Sequence, residues 1–239
     1  MLALLRIIII FFYFLLINTL LILTCIFRPF HRDNVHVAGV LYSSMARLMG
    51  LKLELRIPQS VKEGGPFVVI ANHQNSYDLI TICAAAQKGT VVVGKKSLVW
   101  IPVVGWVLWL SGNIMIDRKN SSSAHGTLQE TVDKILKRRL SVWFFPEGTR
   151  SYGRGLLPFK SGAFRIAQAT KEPIVMICAS NLHKKVNLNR WNNGTLLIEA
   201  NEPEALKEEL SIKENSEYFR EKMQVKIAQL DRELGQRAG

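Results

Sequence analysis

Cysteine is scarce in this chain. There are three in 239 residues, at positions 25, 83 and 178, with no C-x-x-C pair and no metal-ligand spacing. That excludes a disulfide framework and fits a reducing compartment. Zinc-finger spacing, RNP-type aromatic motifs and basic heptads are also missing, so nothing marks a nucleic-acid binder. Repeats, low-complexity tracts and a second-domain linker are absent. Acidic residues are few, 19 against 31 lysines and arginines, for a net charge of +12. Such an excess is either an ordinary solvated surface or an attraction for an anionic partner.

Charge is wholly absent between Ile7 and Phe27, IIIIFFYFLLINTLLILTCIF. As a helix this run reaches roughly 30 Å, the thickness of a bilayer core. It is too long for a signal-peptide core and no small-x-small cleavage site follows, so it reads as a retained anchor. Asn18-Thr19 falls mid-run. It marks either a bend between two short helices dipping into one leaflet or a tolerated polar step in a single tilted span. Arg28, His31 and Arg32 follow, which places the rest of the chain in the cytoplasm, at the inner membrane. Beside such an anchor, anionic lipid headgroups are the expected partner of the basic surface. The expected division is a membrane anchor over residues 1–32 and an α/β domain over 33–239.

Residues 33–49 are predicted helical, with Val37, Val40, Leu41, Met45 and Leu48 at helical spacing. Residues 51–57 alternate strictly, as a half-buried strand does. Short apolar runs at 67–71, 90–93, 141–145, 174–179 and 195–200 read as strands, and 161–170 as a short helix. Residues 97–116 are apolar but interrupted by Pro102, Gly105 and Gly112, which argues against a second membrane helix. Ser121–Ser123 offer caps for a helix carrying Leu128, Val132, Ile135 and Leu136, and Ser216 a cap for a last helix with Phe219, Met223, Ile227 and Leu230. Strands alternating with helices indicate α/β architecture, a mixed central sheet with flanking helices.

The stretch ANHQNSYD, residues 71–78, joins the 67–71 strand to an apolar segment, 79–86, predicted helical. On one regular helix His73 and Asp78 would diverge by about 140°. They meet only if His73 lies in the turn and Asp78 in the first turn after it. An aspartate accepting from one imidazole nitrogen fixes the tautomer and leaves the other nitrogen as a base. Equally, Asn72, Asn75, Ser76 and Asp78 are ordinary helix-start residues. No nucleophile elbow stands near the pair and Cys83 lies too far along, so a base here would act on a substrate hydroxyl.

FPEGTRS, residues 145–151, follows a strand directly, where ligands collect in open α/β sheets. Gly148 permits close backbone approach, Thr149 and backbone N–H groups can bind an anion, Arg150 offers a bidentate fork, and Glu147 can orient a hydroxyl. Arg154 and Lys160 follow closely. By itself the stretch reads more readily as a tight Pro-Glu-Gly turn with a surface arginine. Asp117-Arg118 and Lys95-Lys96 offer further cations, each also readable as a solvated turn or strand end. Trp100, Trp106 and Trp109 read as acyl-tunnel lining, membrane-interface residues or core.

Taken together, these blocks resemble the lysophosphatidic acid acyltransferases. The first, N-H-x4-D, is Asn72, His73 and Asp78. The second runs from Lys96-Ser97-Leu98 through Ile101-Pro102 and Gly105 to Gly112-Asn113 and Asp117-Arg118. The third is Phe145 to Ser151. In the fourth, Pro173 matches, but Met176 stands where the family usually has a second proline. The resemblance covers about residues 40–200. It implies a glycerol-3-phosphate acyltransferase-like fold and acyl transfer from acyl-CoA or acyl-carrier protein to the 2-hydroxyl of 1-acyl-glycerol-3-phosphate. His73 would be the base and Asp78 its orienting partner. Arg150, Arg118 and Lys96 would hold the phosphate, Gly148 and Thr149 would line the site, and Glu147 would hold the glycerol. No metal or organic cofactor is implied. The alternatives are another lysolipid acceptor, water as acceptor in an esterase, or a non-catalytic anionic-lipid-binding protein.

Overall fold

The computed structural model describes residues 1–116, 131–133 and 135–238. The Ser121–Ser123 cap, Leu128, Asp117 and Arg118 lie outside the described residues.

Seven strands form one mixed sheet: β1 (Lys52–Arg56), β2 (Val68–Ala71), β3 (Thr90–Lys95), β4 (Ile114–Ile116), β5 (Ser141–Phe144), β6 (Ile174–Ala179) and β7 (Thr195–Ala200). Their order is β1-β7-β6-β2-β5-β3-β4. From β6 to β4 neighbours are parallel; β7 turns antiparallel on β6, and β1 runs parallel to β7. The central strands β2 and β6 are buried at every position. Their continuous apolar runs are what a strand covered on both faces requires.

The period-two alternation sorts each strand between two cores. Val68, Ile70, Val142 and Met176 face helices Gly162–Thr170 and Ile212–Ala238, packing on Phe164, Phe219 and Met223. Val69, Ala71, Trp143 and Ile177 face the opposite way, beneath helix α2 (Asn34–Leu48). The last helix starts earlier than predicted. Ser211, not Ser216, caps it, exchanging bonds with Glu214 (Glu214 N–H to Ser211 Oγ, 3.2 Å; Ser211 N–H to Glu214 Oε2, 2.8 Å). The Ser216 hydroxyl instead donates back to Lys213 within the helix (2.8 Å).

Helix α1 (Leu2–Phe27) is continuous over 26 residues, about 39 Å long. The bend at Asn18-Thr19 does not occur. Thr19 donates to the Leu15 carbonyl, and Asn18 donates to Phe14 while accepting from the Tyr42 hydroxyl (2.8 Å). Both polar side chains are thereby satisfied without interrupting the helix. One face of α1, with Ile17 and Leu21, packs on Tyr42, Met45 and Met49 of the α2 region and on Ile80. The other, from Leu4 through Phe12, Leu16 and Leu23 to Phe27, stays exposed. Continuing that exposed surface, Trp100, Trp106 and Trp109 are 84, 57 and 52% exposed, which removes the core reading for all three.

Candidate active site

The carboxyl ends of β2 and β5 put two loops side by side. The first begins at Asn72, whose amide clamps β6 in both directions: it donates to the Ala179 carbonyl (3.1 Å) and accepts from the Ala179 N–H (2.9 Å). Gln74 repeats the device one step on, donating to Ser180 O (2.8 Å) and accepting from Leu182 N–H (2.7 Å). Asn72 and Gln74 are buried and point to the β6 side; His73, between them, turns away. Pinning both neighbours fixes the direction in which His73 projects.

Asn75 then starts a 3-10 turn, Ser76–Ile80, with its Oδ1 accepting from Tyr77 N–H (2.8 Å). Asp78 lies inside that turn and His73 outside it, the geometry that lets them meet. His73 Nδ1 and Asp78 Oδ2 are 2.6 Å apart. The same oxygen accepts from the backbone N–H of Gln74 (2.7 Å) and Asn75 (3.2 Å). The carboxylate that caps the turn and the one that meets the imidazole are therefore the same group. With Nδ1 held at Asp78, Nε2 is the ring nitrogen left to face a substrate. No described residue bonds Nε2, and the side chain is 19% exposed. Leu79 and Ile80 join the apolar cluster that also holds Ile17 and Leu21 of α1 and Tyr42 and Met45 of α2. The segment beyond it forms a second 3-10 turn, Ile82–Ala85, rather than one α-helix.

The second loop is bolted to the first. Ser151 N–H donates to His73 O (2.8 Å), and Tyr152 N–H to Gln74 O (2.9 Å). Glu147 is buried, and its two oxygens accept from His73 N–H (2.6 Å) and Leu157 N–H (2.9 Å). Burial pushes its carboxyl upward, opposed by those two bonds. Glu147 thus lies underneath the loops, linking them, rather than displayed on their outer surface as a ligand for an acceptor. Gly148 closes the Phe145–Gly148 turn (N–H to Phe145 O, 2.9 Å) at φ +71°. A Cβ there would come within 2.8 Å of Lys160 Cε and Nζ, so only glycine admits that lysine against the loop.

Thr149 and Arg150 are exposed. Among the described residues the Arg150 guanidinium reaches only the Tyr152 hydroxyl (3.3 Å), while Arg154 braces the loop through the carbonyls of Ser151 and Arg150. Lys96 is exposed at the end of β3, one strand beyond β5. It shares the sheet edge with the two loops without touching them. Two contributors carried no role in the sequence reading: Lys160, and Phe145, whose ring stacks on the His73 imidazole at 4.1 Å between centroids and 23° between planes. The signal for Phe145 was its place directly after a strand that pairs with β2. Burial pushes the Cys83 and Cys178 thiols up to about 12, leaving neither a thiolate nucleophile at neutral pH.

The sequence model of the family described as Acyltransferase matches residues 52–180, which contain both loops. A 1-acyl-sn-glycerol-3-phosphate acyltransferase of Salmonella typhimurium is 46% identical over 215 residues, covering 89% of this chain and 88% of that protein. One of the same name from Haemophilus influenzae is 41% identical over 236 residues, 98% of each. Among solved structures, the 1-acyl-sn-glycerophosphate acyltransferase of Thermotoga maritima matches with a TM-score of 0.70 at 24% identity. It covers 95% of this chain and 97% of that one, a likeness of fold.

Proposed function

The chain belongs to the 1-acyl-sn-glycerol-3-phosphate acyltransferases, and on that premise we propose that it acylates the sn-2 hydroxyl of 1-acyl-glycerol-3-phosphate, forming phosphatidic acid. The observation that carries this reading is the 2.6 Å His73–Asp78 bond, in a loop hydrogen-bonded to the one that carries Arg150, an arginine with no carboxylate partner among the described residues. Nε2 takes the hydroxyl proton as the oxygen attacks the thioester carbonyl of acyl-CoA or acyl-carrier protein. The tetrahedral intermediate collapses, the C–S bond breaks, and the imidazolium returns the proton to the leaving thiolate. Asp78 stabilises that imidazolium and the Phe145 face holds its plane. No acyl-enzyme forms, and no metal or organic cofactor is drawn on.

Arg150 holds the acceptor phosphate through its fork, with Thr149, the Gly148 backbone, Lys96 and Arg118 completing the anion site. Glu147 acts as a positioning residue. The exposed face of α1 lies in the cytoplasmic leaflet of the inner membrane, with Arg28 and Arg32 toward the cytoplasm. The helix is tied to the domain near both ends, by Arg6 to residues 188–191 and by Phe30 N–H to Leu110 O (2.8 Å), which supports lying against the leaflet rather than crossing it. The acceptor then enters from the membrane and the donor from water.

The test is a transfer assay with purified full chain, offering several lysolipids and both donors. The reading requires phosphatidic acid as the main product. Free fatty acid without phosphatidic acid would establish an esterase, and no turnover of any donor a lipid-binding protein.

A further inference from the structure

Away from the catalytic loops, the first turns of α1, the end of α2 and the 187–191 loop enclose a cleft of about 360 Å³. Leu2, Leu5, Arg6 and Ile9 of α1 line it together with Arg47, Leu48 and Trp191. None of the residues around His73 lines it.

Its electrostatics are lopsided. Arg6 is buried, yet its guanidinium meets only carbonyl oxygens, those of Leu188 (3.1 Å), Arg190 and Trp191 (3.1 Å), and sits 5.4 Å from the Trp191 ring centre. Three carbonyl dipoles take hydrogens of the guanidinium but leave its charge uncancelled, which is costly in an apolar setting. Arg47 is exposed and makes no side-chain hydrogen bond or ion pair among the described residues. Two guanidinium groups therefore share a cleft to which no acidic residue contributes. Trp191 is 77% exposed, an amphipathic ring placed where apolar surface meets water. The leucine–isoleucine wall runs on into the exposed face of α1 at Leu4, Ile8, Phe11 and Phe12.

We propose that this cleft is a binding site for one anionic phospholipid of the surrounding leaflet. Its phosphate sits at the Arg47 fork in the field of Arg6, and an acyl chain lies along Leu2, Leu5 and Ile9. Guanidinium matches phosphate oxygens in pairs, and the continuous apolar wall gives the chain a path back to the bilayer, which a soluble anion would not need. The bound lipid would anchor the N-terminal end of α1 at headgroup level. The inference rests on the membrane placement proposed above and is independent of the acyl-transfer chemistry.

Native mass spectrometry of the full chain, released from vesicles mixing phosphatidylcholine and phosphatidylglycerol, tests it. The intact protein is expected to retain a single phosphatidylglycerol in preference to phosphatidylcholine. R47Q should cut that adduct about five-fold, the worth of one basic side chain at an anionic surface, while K185Q, removing an exposed lysine of the 180–194 loop, leaves it intact. No preferential adduct, or equal loss in R47Q and K185Q, would overturn the site in favour of diffuse surface attraction. Replacement of the lipid by a phosphate adduct in millimolar inorganic phosphate would reassign it to a free anion. Sedimentation with phosphatidylcholine vesicles reads membrane attachment separately: if the chain does not sediment, the placement has failed rather than the site.

Discussion

The two loops at the sheet edge have opposite internal economies. In the loop from Asn72 to Asp78, the buried polar side chains have partners inside the protein, and one Asp78 oxygen takes three donors. In the loop from Gly148 to Arg150, the side chains project outward, and among the described residues Arg150 finds only a neighbouring phenol. On the proposed mechanism the base is oriented before the substrate arrives, so its partners are built in, whereas the substrate anion brings its own charge and the group that meets it is left unpaired. Glu147 joins the two, buried like the first loop but belonging to the second.

Removing the preorganised partner should cost most. His73→Ala is expected to lower turnover by about 10²–10⁴-fold, a positioned base's usual contribution, with vesicle sedimentation unchanged; phosphatidic acid formation at the wild-type rate would refute the base assignment. Glu147→Ala comes next. It strands two buried backbone N–H groups at about 1–3 kcal/mol each, so both melting temperature and turnover should fall. Glu147→Gln, keeping one acceptor, should recover part of both. If melting is unchanged in Glu147→Ala, the linking role is wrong.

Arg150→Ala should instead raise the acceptor KM about ten-fold, the scale of one lost charge-assisted bond, while turnover at saturation changes far less. An unmoved KM would count against the phosphate role. The smallest effect lies away from the site, where Glu54 and Glu233 meet Arg56 and Arg237 on the β1 edge. Hydrogen bonds from Arg237 and Arg56 lower the Glu54 carboxyl from 4.5 to about 2. The folded form thus favours the ionised carboxylate, and the stability this gives is present above about pH 4.5 and lost as pH falls toward 2. Melting curves should show this acid loss shrinking in high salt, because the cluster is exposed. A Glu54→Gln variant with the same acid profile would assign the loss elsewhere.

The strands were the most legible part of the chain. β6 coincides with the apolar run that follows Pro173, since a strand buried on both faces leaves no other pattern, and β7 with the run that follows Gly194. The 3-10 turns after Asp78 were not legible as such. They are shaped by α2, whose Gly39 approaches Cys83 so closely that a Cβ would lie 2.3 Å from its carbonyl oxygen, a tertiary contact that hydrophobic periodicity does not encode. The start of the last helix was legible, but in Ser211-x-x-Glu214, a capping box, rather than in Ser216. At Met176 the amide donates to Asn201 Oδ1 (2.5 Å), a bond a proline could not make. The spacing of His73 and Asp78 allowed their pairing but equally allowed a helix cap, and the resemblance of the whole set of blocks favoured the pair. The stacking of Phe145 and the inward turn of Glu147 required knowing that β5 lies next to β2.

The contrast between the loops is tested most directly by offering each variant two acceptors, 1-acyl-glycerol-3-phosphate and the uncharged 1-acylglycerol, and comparing kcat/KM. His73→Ala should lower both by the same factor, because the hydroxyl is common to both. Arg150→Ala should lower only the phosphate-bearing acceptor and bring the two closer together. If His73→Ala spares the uncharged acceptor, or Arg150→Ala lowers both equally, the division of labour between a built-in base and an unpaired anion clamp is wrong.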